Sequence, residues 1–343
     1  HGLSAQKLWR IGAVITHSER APHGRFLGKV LRKTGDEAMT KDPLEKRSFP
    51  RVKIGVSSCL LGQEVRYNGG HKRDGFLVGA LARFADYLPV CPEVGIGMGV
   101  PRPPIRLVGD PERPRAVGTD DATLDVTDRL AGFARRQVQA LDNLDGYILK
   151  TDSPSCGMVR VKVYSPKGGA AQRKGVGIYA GVLMEHMPLL PIEEEGRLND
   201  PILRENFLTR VYAYRRWRDL AAGGFTRGGL IGFHSDHKYL IMAHSQAAYQ
   251  RLGRMLSNLS GVDLEAVALM YVTEAMETLK RRVNRKRHVN VLQHMMGYLK
   301  RSIDAGDKAE LSATIEAYRR GEVPLVVPIT LFRHYFRRHP DPY

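Results

Sequence analysis

Lys53-Ile54-Gly55-Val56-Ser57-Ser58, followed at once by Cys59, is the stretch that decides the fold. It is a short apolar run that ends in turn-forming residues, Ser57-Ser58-Cys59-Leu60-Leu61-Gly62, and it predicts a buried strand. Outward from it, residues 88–91, 105–108, 146–150 and 159–164 predict further strands. Residues 75–87, 123–143 and 177–187 carry helical spacing between them, with Leu124, Leu130, Phe133 and Leu141 marking the second. Alternating strands and helices predict an α/β domain over residues 51–198, with a Rossmann-like, mainly parallel sheet.

The pattern changes at Asn199-Asp200-Pro201, a helix-start signature with proline at an early helical position. Residues 201–220, 236–259, 263–276, 280–305, 308–320 and 329–338 predict an all-α second domain, residues 199–343. Pro324 and Pro328 bracket a short extended segment before its last helix. No fixed period emerges, which excludes a solenoid. Residues 1–50 lack helical or strand periodicity and the apolar core of a secretory signal. They predict a leader that is non-native or poorly ordered to about residue 38, with a native start expected at Met39. The chain also stops soon after His339-Pro340-Asp341-Pro342-Tyr343, and a C-terminal truncation is expected.

With 43% hydrophobic and 26% charged residues the composition is that of a soluble globular protein, and no apolar run reaches the ~20 residues that span a bilayer. The formal charge is +17. Residues 199–343 hold 23 Lys and Arg against 14 Asp and Glu, whereas residues 51–198 hold 20 against 17, so the helical domain is the basic one. Its clusters are Arg215-Arg216-Trp217-Arg218, Lys280-Arg281-Arg282 with Arg285-Lys286-Arg287-His288, and Arg333 with Arg337-Arg338-His339. Tyr212, Tyr214, Tyr239 and His294 intersperse with them. Such a face attracts polyanions, nucleic acid above all, although basic helices are also commonly plain solvated faces.

Three cysteines cannot all pair with one another, which favours a reducing cytoplasm. Cys59 and Cys91 each end a predicted strand, and Cys156 lies just beyond the strand ending at Lys150. In open α/β sheets ligands gather beyond the carboxyl ends of the strands, so this placement would bring three thiols into one crevice. Three thiolates are one short of a structural zinc site or of the usual cluster ligation. On a [4Fe–4S] cluster they would leave one iron open as a Lewis acid. Buried cysteines also serve as small hydrophobes, and that reading stays open at this point.

Four segments carry a resemblance: Ser57-Ser58-Cys59-Leu60-Leu61-Gly62, Tyr67-Asn68-Gly69-Gly70, Cys91-Pro92-Glu93-Val94-Gly95-Ile96-Gly97-Met98, and Lys150-Thr151-Asp152-Ser153-Pro154-Ser155-Cys156-Gly157. In this order, over roughly residues 53–192, the chain resembles the thiouracil desulfurase family. Its basic helical half resembles a domain found in longer members, similar to the bacterial tRNA 4-thiouridine desulfidases. The resemblance implies a [4Fe–4S] cluster on Cys59, Cys91 and Cys156, a catalytic Glu93 and a catalytic serine. Ser153 matches by its place three residues before Cys156, with Ser155 as the alternative.

The reaction so implied is hydrolytic and non-redox: sulfur leaves 4-thiouridine in tRNA as hydrogen sulfide, with Glu93 as general base and Ser153 as hydrogen-bond donor. The alternatives are desulfuration of free thiouracil or a thionucleotide, and a non-catalytic RNA-binding or redox-sensing iron–sulfur protein. Tyr67-Asn68-Gly69-Gly70 predicts a tight turn. His234 and His237 suggest a metal pair, but a helix start capped by Ser235 is the preferred reading.

Overall fold

The computed structural model describes residues 50–340; the expected leader up to residue 49 and residues 341–343 lie outside them. Strand β1 (Val52–Ser57) leads to helix α1 (Gly75–Val78), strand β2 (Ala85–Val90), helix α2 (Pro92–Gly95), and strands β3 (Ile105–Asp110) and β4 (Arg113–Gly118). Helix α3 (Thr127–Ala140), strands β5 (Gly146–Leu149), β6 (Val161–Tyr164) and β7 (Gln172–Gly175), helix α4 (Ile178–His186) and strand β8 (Ile192–Glu194) complete the α/β part.

Its main sheet has the order β2-β1-β5-β8, and every pairing in it is parallel. Five of the six β1 residues and all four of β5 are buried, as expected of strands covered on both faces. Ala134, Leu141, Tyr147, Leu149 and Leu183 pack on one face, while Ile54, Leu60, Leu77 and Ile148 pack on the other. Gly55 is glycine because the Tyr147 ring lies where a β-carbon would stand. A second sheet, β4-β3-β6-β7, is mixed, with only β3–β6 parallel. It closes its own small core of Leu107, Ala116, Leu130, Val161 and Val163.

From Pro201 onward the described chain is helical: α5 (Pro201–Ala222), α6 (Arg227–His244), α7 (Gln246–Met255), α8 (Leu264–Leu279), α9 (Arg285–Leu299), α10 (Ala305–Arg320) and α11 (Val326–Arg338). Asp200 caps α5 by accepting from the Ile202 and Leu203 amides. The architecture is thus an α/β part followed by an all-α part, with α5 belonging to both. Its Phe207, Val211 and Tyr212 enter the sheet core beside Val52 and Ile54, and its Ala213 and Trp217 enter a helical core with Tyr271 and Leu252. Asp145, fully buried at the start of β5, accepts from Arg218 at 2.7 Å, from the Lys53 amide at 2.8 Å and from Arg215 at 3.4 Å.

That anchoring bears on Arg215-Arg216-Trp217-Arg218, one of the basic clusters expected to attract polyanions. Two of its arginines hold a buried aspartate and its tryptophan is core. Four elements also depart from expectation. Residues 75–87 are not one helix: Asp74 caps a single turn, and the chain then enters β2, because parallel pairing with β1 outweighs local amphipathicity. The expected helix 236–259 is two helices, broken at Ser245, whose hydroxyl caps α7 on the Ala248 amide. The 324–328 segment is not extended: Pro328 sits in the first turn of α11, where its missing N–H costs nothing. Ser235 caps no helix either, since α6 starts earlier, at Thr226, whose hydroxyl accepts from the Gly229 amide. His234 donates to or accepts from the Tyr271 hydroxyl at 3.0 Å, and His237 stacks on Phe233. Both histidines are packing groups.

Candidate active site

The C-terminal ends of three neighbouring strands, β2, β1 and β5, open into one cavity. Each brings a cysteine to it. Cys59 lies in the single 3-10 turn after β1, which ends on Gly62 in the left-handed region at φ 92°. Cys91 follows β2 directly, at the cap position of α2, with Pro92 setting the first turn. Cys156 stands in the turn after β5, where Gly157 donates to the Ser153 carbonyl at 2.8 Å. All three thiols are free. Burial pushes them up, Cys59 to about 11, Cys156 to about 12, and Cys91 above its ordinary value.

Glu93 lines the same cavity, and it is not a solvated loop carboxylate. Arg102 grips its Oε2 with two donors, Nη2 at 2.7 Å and Nε at 2.8 Å, and neither side chain is more than 13% exposed. Arg102 is itself held by the Gly99 carbonyl at 3.0 Å, and its amide donates to the Tyr67 carbonyl. The other oxygen, Oε1, accepts from Ser155 Oγ at 2.7 Å.

Ser153 and Ser155 have different work. Ser153 Oγ accepts from the amides of Ser155 (3.3 Å) and Cys156 (3.1 Å), which shapes the turn that carries Cys156. Its hydroxyl is also 3.0 Å from that of Ser155. A serine has a single O–H, and that of Ser155 is spent on Glu93, so Ser153 is the donor between the two. The result is a directed line, Ser153 to Ser155 to Glu93. Asn68 serves a turn, accepting from the Gly70 amide at 3.2 Å, while Arg66 and Tyr67 reach the cavity wall.

Sequence reasoning missed Arg102 and Lys150. Lys150 ends the third strand run, lines the cavity and pairs with Glu195, which also accepts from the Thr151 amide at 2.8 Å. Its place six residues before Cys156 was the available signal. Arg102 sits in Val100-Pro101-Arg102-Pro103-Pro104, where nothing local announces a partner.

Residues 54–195 match the family model described as 2-thiouracil desulfurase. The protein YbbK of Bacillus subtilis (strain 168), named as uncharacterized, is 32% identical over 153 residues, 43% of this chain and 98% of its own. The chain belongs to the 2-thiouracil desulfurase family. Residues 238–343 match a second model, a protein of unknown function called DUF1722. YbgA of Escherichia coli (strain K12), likewise named as uncharacterized, is 34% identical over 138 residues, 40% of this chain and 82% of its own. Among solved structures, the [4Fe-4S]-dependent thiouracil desulfidase TudS is 34% identical, covering 44% of this chain and 95% of its own at a TM-score of 0.34. Within the family frame all three cysteines, Glu93 and both serines fall inside the matched residues 54–195, whereas the segment 196–237, with α5, falls between the two models.

Proposed function

We propose that this chain is a [4Fe–4S]-dependent desulfidase that hydrolyses 4-thiouridine in tRNA to uridine and hydrogen sulfide, in a reducing cytoplasm. The observation that carries the reading is the meeting of three thiols, at the ends of three adjacent parallel strands, with a clamped carboxylate in one cavity. The donor set fits a cluster, for which thiolates are the usual ligands. Among the described residues no three His, Cys, Asp or Glu side chains converge enough for a single metal ion. Glu93 is meanwhile committed to Arg102 and Ser155.

Cys59, Cys91 and Cys156 would hold the group, which when bound supplies a soft Lewis-acidic iron with an open position, suited to a thiocarbonyl sulfur. The chain's own residues then manage water and protons. Arg102 fixes Glu93 through Oε2, so Oε1 is the oxygen that takes a proton from the attacking water. The serine line runs toward Glu93 and holds Oε1 in place, and protonated Glu93 returns the proton to the departing sulfur. The balance is one water consumed and one hydrogen sulfide released, with no electron transferred.

The tRNA part rests on the helical half. Arg281, Arg282, Arg285, Lys286, Lys300, Arg301, Arg337 and Arg338 are exposed there, and they would neutralise phosphates with a marked salt dependence. A second reading, free thiouracil as substrate, is favoured by the family model's description. Competition on the full chain separates the two: sulfide release from 4-thiouridine tRNA at substrate levels where free thiouracil is untouched supports the first, and the reverse supports the second. Removing residues 199–343 would be a poor test, because it strips Phe207 and Val211 from the sheet core.

A further inference from the structure

Four cations line the cysteine cavity: Arg66, Lys72, Arg102 and Lys150. Arg102 is spent on Glu93, Arg66 lies over the Tyr67 ring at 5.4 Å, and Lys72 is exposed. Lys150 is both held in place and unused by the steps above. It follows β5 directly, and its amide donates to Ser57 Oγ at 3.0 Å, at the end of β1. That bond sets it beside the turn that carries Cys59.

An ammonium has three N–H donors and no acceptor. One donor of Lys150 goes to the Thr151 carbonyl at 3.0 Å and a second to Glu195 Oε1. Glu195 is itself fixed, its Oε2 accepting from the Thr151 amide at 2.8 Å, and the two side chains are only 19% and 11% exposed. Among the described residues no acceptor takes the third donor. A charged donor tethered at two points, on the wall of a cavity shared with Cys59 and Cys156, is built to meet an acceptor on a ligand there.

The chemistry of the base says which acceptor. Uracil presents a carbonyl, N3–H and a second carbonyl in a row, symmetric about N3. With sulfur in place of either oxygen the opposite oxygen remains. The 2-thio and 4-thio bases therefore set sulfur at one end of this edge and a carbonyl at the other. In 2-thiocytosine the far end is an amine, which would face the ammonium donor to donor and leave both unpaired.

We propose that Lys150 donates its third N–H to the carbonyl opposite the sulfur, so that the site admits 2-thiouracil and 4-thiouracil bases and rejects thiocytosine. The proposal rests on the desulfidase reading and deepens it, making Lys150 a specificity residue.

Two ligands that differ only in that carbonyl test it: 4-thiouracil, and pyrimidine-4-thione, which keeps the sulfur and N3–H but has hydrogen at C2. Calorimetric titration of the full, cluster-loaded chain carrying Glu93→Gln reads binding apart from turnover. 4-Thiouracil should bind at least about tenfold tighter, as the loss of one charged hydrogen bond implies. Adding Lys150→Met should bring the two within about twofold by weakening 4-thiouracil alone. For a base that must arrive on RNA, kcat/KM for sulfide release from a short strand with one 2-thiouridine should exceed that with one 2-thiocytidine. Lys150→Met should narrow this gap by about tenfold or more. If Lys150→Met unfolds because Glu195 has lost its partner, Lys150→Met with Glu195→Gln removes both charges and serves in its place. The proposal is overturned if neither pair shows a gap, or if either gap survives the loss of Lys150. A Lys150-dependent preference with no sulfide from any thiolated pyrimidine would leave it standing and sink the desulfidase reading instead.

Discussion

Replacing Arg102 by methionine tests how Glu93 is held, because the change keeps much of the side-chain volume and removes only the charge and donors. The two groups stand 2.7 Å apart with side chains 3% and 13% exposed. At an effective dielectric near 20, a pair at that distance attracts with about 6 kcal/mol. Desolvating a guanidinium and a carboxylate offsets roughly half of this, and breaking such a pair leaves the remaining charge uncompensated, so a loss of about 3 kcal/mol is expected. Urea unfolding of the cluster-free protein measures the loss. Sulfide release by the loaded protein should fall by about 100-fold or more, the range associated with a general base. Glu93→Gln should cost similar activity, and the double variant little beyond either single one, because both changes remove one unit. If Arg102→Met kept wild-type turnover, Glu93 would not depend on the clamp, and its place in the proton path would fall with it.

Ser155→Ala removes the hydroxyl on Glu93 Oε1 and should lower turnover about tenfold or more while the iron content of reconstituted protein stays unchanged. Ser153→Ala loses acceptors for two amides in the Cys156 turn, so it should lower iron content as well; equal iron loss in both variants would contradict the separate roles. Asp145→Ala leaves Arg215 and Arg218 without their buried partner and should cost about 3 kcal/mol in urea unfolding, with a change under ~0.5 kcal/mol refuting the anchoring role of α5. His244 and His288 titrate near 4 when folded, against 6.5 ordinarily, so below pH 6.5 the unfolded chain takes up protons that the folded chain refuses. Stability should therefore be full above pH 6.5 and fall as the pH drops toward 4, by at most about 3 kcal/mol per histidine, and His244→Gln should flatten that slope.

Cys59 was legible because the buried strand β1 is written as a nearly continuous apolar run that it follows within two residues, and Cys91 because it directly follows the short edge strand β2 and precedes Pro92. The helical half was legible from its spacing and from Asp200-Pro201, which opens α5. The second sheet was only half visible. β4, Arg113–Gly118, and β7, Gln172–Gly175, are short and polar, and each is a strand only because β3 and β6 pair with it. Residues 75–87 misled for a related reason, since β2 is chosen by its partner β1. In the site, the cysteines, Glu93 and the serines stood in marked local motifs. Arg102 reaches Glu93 across nine residues of a proline-rich loop, and Arg215 and Arg218 reach Asp145 across about seventy, so no window of sequence holds both partners.

Sulfide release from 4-thiouridine-containing tRNA by the anaerobically reconstituted chain addresses the central claim most directly. The account predicts stoichiometric conversion of 4-thiouridine to uridine with hydrogen sulfide, no electron donor required, and loss of activity in Cys156→Ala. Full activity in Cys156→Ala, or no sulfide from any thiolated pyrimidine despite bound cluster, would contradict it.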